Sequence, residues 1–109
     1  MENTVVVIAS ERKYGPIDFE DEEYVNYRFA GNWPVNKKER VNYEYLIGCY
    51  KGTIVRVYKI IGFKNSELEK NRTVFDIVKI SSSLIGKSRN VVLSDDFTGY
   101  FKVIEHKPE

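Results

Sequence analysis

The sequence predicts a mainly β fold with a minor α component: one small curled sheet, or a closed β-barrel, of five or six strands carrying one or two short helices. Two observations lead there. From Tyr43 to Phe63 the chain reads YEYLIGCYKGTIVRVYKIIGF, two runs of β-branched and aromatic residues joined at Tyr50-Lys51-Gly52. Such residues suit a half-buried pleated surface, and a glycine at the third turn position takes the positive φ that a tight hairpin needs. The other observation is punctuation, because short apolar runs elsewhere alternate with clusters of Gly, Ser, Asp and Asn.

In chain order, the unbroken apolar run Val5 to Ala9 reads as a strand buried on both faces, and Tyr14-Gly15-Pro16 as a turn. Asp18 is a possible N-cap for a helix that Gly31 ends. Its Tyr24, Tyr27 and Arg28 form one stripe that should dock, leaving Glu20, Asp21 and Glu23 in water. Asn32-Trp33-Pro34 follows as an extended connection, since the residue before proline leaves the α region. Residues 35–41 make a loop or helical turn into the hairpin.

Within the second arm of the hairpin, Thr53, Val55, Val57, Ile61 and Phe63 should face the core, and Arg56 and Tyr58 should share the opposite face. Ile54 and Ile60 break the alternation, so both faces are expected to be partly covered. Gly48 and Gly62 within strands mark a bulge, a bend or a close approach of another chain segment. Lys64 to Arg72 is a hydrophilic excursion, Thr73 to Ile80 a strand, and Ser81 to Ser88 a short helical turn stopped by Gly86. Asn90 to Leu93 and Tyr100 to Glu105 read as two last strands.

At 109 residues the chain has the length of a single domain, 1–109. Its 42% hydrophobic and 14% aromatic content, with eight tyrosines, belongs to folded proteins. A formal charge of +1 implies no general electrostatic grip on nucleic acid, so any such contact needs a local patch. Acidic residues gather at Asp18 to Glu23 and basic ones at Lys37 to Arg40 and Lys87 to Arg89. One cysteine and one histidine supply neither an internal disulfide nor a soft-ligand zinc set, so a cytoplasmic setting with no metal and no cofactor is expected. The opening residues have the pattern of neither a signal peptide nor a membrane span, and no membrane partner is expected.

Gly86-Lys87-Ser88 echoes the end of a phosphate-binding loop, but Ser81 stands where the first glycine belongs. Cys49 reads as a buried small hydrophobe, and the carboxylates show no catalytic or Mg²⁺ spacing, so no catalytic residue is assigned and no enzyme is expected. A recognition set is more suggestive: Arg28, Asn32 and Trp33, joined in space by Arg56, Tyr58 and Lys87. Aromatic faces stack on bases, Arg and Lys contact phosphates or base edges, and Asn reads base amides. The competing use of Trp33 and the tyrosines is core packing.

The run Tyr27-Arg28, Gly31-Asn32-Trp33, Tyr45, Gly48, Tyr50, Gly52, Val57 to Ile60 and Leu84 to Ser88 resembles small uncharacterised bacterial and phage modules, found alone or beside endonuclease domains. Its hairpin is also similar to PUA-like β-barrels, the group of the ASCH, EVE and YTH domains. That resemblance implies binding of RNA or modified bases in an aromatic-walled pocket, with Arg28, Asn32 and Trp33 at its edge and Tyr58 on its floor. Phe63 stands where such modules often carry Trp. The expected function is therefore non-catalytic recognition of a nucleic acid or modified nucleobase, with RNA or single-stranded or modified DNA as partner. The alternative is a protein-interaction accessory module of phage or mobile-element type, using Asp18 to Glu23 or an edge strand at Val91 or Tyr100 to bind a protein partner or form a homodimer.

Overall fold

A computed structural model describes residues 2–106 of the chain. Five strands form one open mixed sheet: β1 (Thr4–Ile8), β2 (Tyr45–Tyr50), β3 (Thr53–Asn65), β4 (Thr73–Ile80) and β5 (Phe101–Ile104), ordered β4-β3-β2-β1-β5. The curled sheet is thus the form adopted, and it does not close into a barrel. β1 runs parallel to β2, with Val6 opposite Ile47; every other pairing is antiparallel. Parallel neighbours need a crossover, and the segment between β1 and β2 supplies it with α1 (Glu11–Tyr14) and α2 (Glu22–Ala30). No described helix is long and apolar enough to cross a membrane.

The β2–β3 hairpin turns at Lys51-Gly52, where both residues have positive φ, 50° and 81°. That is the paired geometry of a two-residue hairpin turn, and Gly52 adopts it without a side-chain penalty. Along β3 the simple odd and even division fails twice. Gly48 faces Arg56 while Cys49 faces Ile54, leaving Val55 extra; farther along, Ile60 faces Ile77 and Gly62 faces Asp76, leaving Ile61 extra. Each bulge shifts the alternation by one residue. Val57 therefore joins Ile54 in one core, while Tyr58 and Ile60 join the other.

Both faces of the sheet are covered. On the first, Val5, Val7, Leu46, Tyr58 and Phe75 pack beneath α2 and its flanking loops. On the second, Val6, Ile47, Cys49, Ile54 and Val57 are sealed by Leu84 and Leu93 from the segment after β4. Two expectations are corrected in these covering layers. Residues 90–93 are not a strand: Arg89–Val91 forms a 3₁₀ turn, with the Ser88 hydroxyl accepting from the Asn90 N–H, so Val91 offers no strand edge.

The other correction concerns α2. Its N-cap is Asp21, whose carboxylate accepts from the Tyr24 N–H, because Asp18 instead closes its own turn onto the Glu20 N–H. The buried stripe is Val25 with Arg28 and Phe29, and Tyr27 is 62% exposed. Phe29 dictates this docking. Its ring lies so close over β2 that a Cβ on Gly48 would sit 2.9 Å from it, which explains a glycine in a central strand.

Candidate functional site

A groove of about 1100 Å³ opens beside α2. One side comes from the end of β1 and from α1, another from α2 and its exit Gly31-Asn32-Trp33, and a third from the β3–β4 tip, residues 64–74. Across the groove, Lys13 of α1 and Glu69 of the tip approach to 3.9 Å. Five aromatic residues line the groove: Tyr14, Tyr24, Tyr27, Trp33 and Tyr100. Five cationic residues join them, Arg12, Lys13, Arg28, Lys64 and Arg72, against two acids, Glu67 and Glu69. On a chain of net charge +1 this is a local concentration of positive charge.

Arg28, Asn32 and Trp33 are brought together here. Arg28 is only 8% exposed, and its three hydrogen bonds all go to neutral oxygens: the carbonyls of Ser10 and Gly15 and the hydroxyl of Tyr24. Those carbonyls flank α1, so the guanidinium pins both ends of that short helix to α2. It also lies 5.5 Å from the Tyr14 ring and 5.8 Å from the Tyr24 ring, and Tyr24 in turn stacks with Tyr27. Rings and cation thus form one continuous array whose outer members, Tyr14 and Tyr27, are exposed.

Trp33 is half-buried. Its indole N–H donates to the Phe29 carbonyl at 2.9 Å, and its backbone forms a two-bond bridge with Thr73 at the start of β4. It is a fixed wall of the groove and also packs on the core. Asn32 accepts from the Ser66 hydroxyl, so its amide nitrogen is the group left to offer a ligand. Ser66 also accepts from the Leu68 and Glu69 N–H groups, which orders the tip carrying both acids.

The other three expected residues lie elsewhere. Tyr58 is fully buried under α2, donating to the Asn26 side chain at 2.8 Å, and burial pushes its phenol well above the usual tyrosine range. It is core, not a pocket floor, because the bulge before it turns its ring beneath Phe29. Arg56 shares that face but is held by Glu22 at 2.5 Å and by the Phe19 ring at 5.1 Å. The same bond holds the Glu22 carboxyl below its ordinary range. Lys87 sits in the turn covering the second face, exposed, with its carbonyl accepting from the Ile54 N–H.

No family model, curated protein or solved structure matches this chain.

The residues that the sequence reading missed are Arg12, Lys13 and Tyr14, together with Lys64 and Arg72. The first three stand consecutively before Gly15, a basic and aromatic run that could have been noticed. Beneath them, α1 is tied to the hairpin turn: Glu11 accepts from the Tyr50 hydroxyl and pairs with Lys51 at 3.2 Å. These contacts hold the Glu11 carboxyl below its ordinary range, the Tyr50 bond foremost. On the groove side, the Tyr14 hydroxyl first and then Glu69 hold the Lys13 ammonium above its usual value, so it is charged at neutral pH. Among the described residues no group of His, Cys, Asp and Glu could hold a metal ion, and Cys49 is buried with its thiol pushed up to about 12. A thiol in that state is a poor nucleophile.

Proposed function

We propose that this groove recognises single-stranded nucleic acid, or a nucleobase within it, without catalysis. One observation carries the reading: exposed aromatic faces and an excess of cations over acids line the same groove, the combination that stacks bases and tracks phosphates. Trp33 and Asn32 keep their expected roles as ring surface and hydrogen-bonding reader. Tyr27 becomes the principal stacking face, and Arg12, Lys13 and Arg72 take over the phosphate contacts assigned from sequence to Arg56 and Lys87. Arg28 serves by holding the α1 side in place. The protein-interaction alternative draws less support, since Asp18 and Asp21 cap their own backbone and Glu22 is paired with Arg56 and Lys79.

Trp33 is the only tryptophan, and its fluorescence reports on the groove directly. Titration with short single-stranded RNA and DNA should give saturable quenching that weakens as salt rises. Tyr27→Ala, a change at an exposed position, should cost about tenfold in affinity and leave the thermal midpoint unmoved. Unchanged fluorescence with every oligonucleotide at low salt defeats the proposal.

A further inference from the structure

The groove's positive lining is interrupted at one place. Glu69, on the β3–β4 tip, reaches across to Lys13 on α1 at 3.9 Å. Both side chains are solvated, 65% exposed for Lys13 and 36% for Glu69, so the pair contributes little to folding. Its position is what matters. Arg12 and Lys13 are the cations α1 presents to the groove, and Lys13 is the one that already faces an anion.

Glu69 is not there by chance rotation of a free loop. Its backbone N–H donates to the Ser66 hydroxyl at 3.0 Å, and Ser66 is itself bonded to Asn32 at the exit of α2. The Glu69 carbonyl accepts from the Arg72 N–H, closing the tip on itself. The carboxylate is therefore delivered by an ordered turn that one of the groove's own wall residues anchors.

We infer that Glu69 is an internal stand-in for a ligand phosphate, an autoinhibitory contact on Lys13 that a phosphate-bearing ligand displaces when it binds the groove. The inference rests on the proposed nucleic-acid reading and deepens it. Lys13 is paired with Glu69. A phosphodiester oxygen reaching Lys13 must displace that carboxylate, exchanging one anion for another, so the phosphate supplies the driving force for opening. A nucleoside has no anion to exchange and meets Lys13 still occupied. Glu69 thereby lowers affinity for phosphate-bearing ligands modestly and leaves that for uncharged ones unchanged, a brake on backbone contacts that raises the relative weight of the stacked base.

The test is a double-mutant cycle read by Trp33 fluorescence, using the whole chain, a short mixed-sequence single-stranded RNA, and the four nucleosides. Glu69→Gln keeps shape and removes charge, and should tighten RNA binding by about two- to fivefold, the range of an exposed ion pair. Lys13→Ala should weaken RNA binding, and adding Glu69→Gln to it should restore nothing. Nucleoside binding should not tighten in Glu69→Gln. Thermal midpoints of all three variants, at solvated positions, should match wild type, confirming that binding and not folding has changed.

Failure of the parts can be told apart. If wild-type protein binds the RNA but Glu69→Gln gains equally with and without Lys13, Glu69 acts as a diffuse charge and the exchange is wrong. An equal gain for nucleosides likewise overturns it. If wild type binds no oligonucleotide, the nucleic-acid reading falls and the exchange falls with it.

Discussion

The two faces of the sheet are covered by different means. Over the second face, residues 81–97 lay Leu84 and Leu93 directly on Ile47, Cys49, Ile54 and Val57, with backbone bonds from the Gly86 and Arg89 N–H groups back to the hairpin. Over the first, α2 contributes two apolar side chains, Val25 and Phe29, while Tyr24, Tyr27 and Arg28 line space that the core does not fill. A stretch without an α-helix can follow the sheet's twist and close it, whereas a straight helix touches a curled sheet along one line and leaves a gap beside it. One face is sealed, and the other carries a groove.

That contrast can be broken by mutation. Phe29→Ala should be the most damaging change, about 3–5 kcal/mol, because the ring is fully buried over Gly48 and Tyr58 and the space cannot collapse onto a rigid sheet. Leu84→Ala, on a loop that can move inward, should cost less, about 2–3 kcal/mol, and leave RNA binding intact. Urea denaturation of both variants ranks them. Equal losses of RNA affinity in the two would mean that the faces are not independent.

A smaller effect concerns alkaline pH. The Cys49 thiol is pushed up from 9.0 to about 12 by burial in the sealed face, so between those values the folded chain holds a proton that the unfolded chain has released. Stability from this group is complete below pH 9 and falls as pH rises toward 12, by about 1.4 kcal/mol per unit. Cys49→Ala should flatten that slope in denaturation curves followed from pH 8 to 10.5. An unchanged slope would assign the loss to Tyr58 and Tyr43, whose phenols burial also raises. The smallest expected effect is that of Lys87→Ala: less than a twofold change in RNA affinity by fluorescence titration, since Lys87 lies in the cover of the sealed face. A tenfold loss would move the binding surface there.

Much of the fold is legible in the chain. β4 spans the expected residues 73–80, the run expected from Val5 to Ala9 forms β1 over Thr4–Ile8 with Val5, Val6 and Val7 fully buried, and Gly48 and Gly62 both stand where β3 slips register. Such features depend on local chemistry: β-branched side chains, positive φ at Gly52, and apolar runs too short for helix. Residues 90–93 misled because Val-Val-Leu suits a strand equally well, and only the Ser88 cap and the Arg89 bonds to Gly52 and Phe97 select the 3₁₀ turn.

The groove was half legible. Arg28, Asn32 and Trp33 are close in sequence, and one helix exit carries them together whatever the wider fold. Arg56 and Tyr58 looked accessible because strict alternation opposed them to the apolar side; the bulge at Val55 and a helix lying across that face put both beneath cover. Sequence by itself determined the strands, the hairpin turn and the residue types able to stack or carry charge, since these follow from each residue and its near neighbours. Only tertiary structure decided which rings stay exposed and which cations meet across the groove, because those outcomes depend on how far the sheet curls and where α2 rests on it.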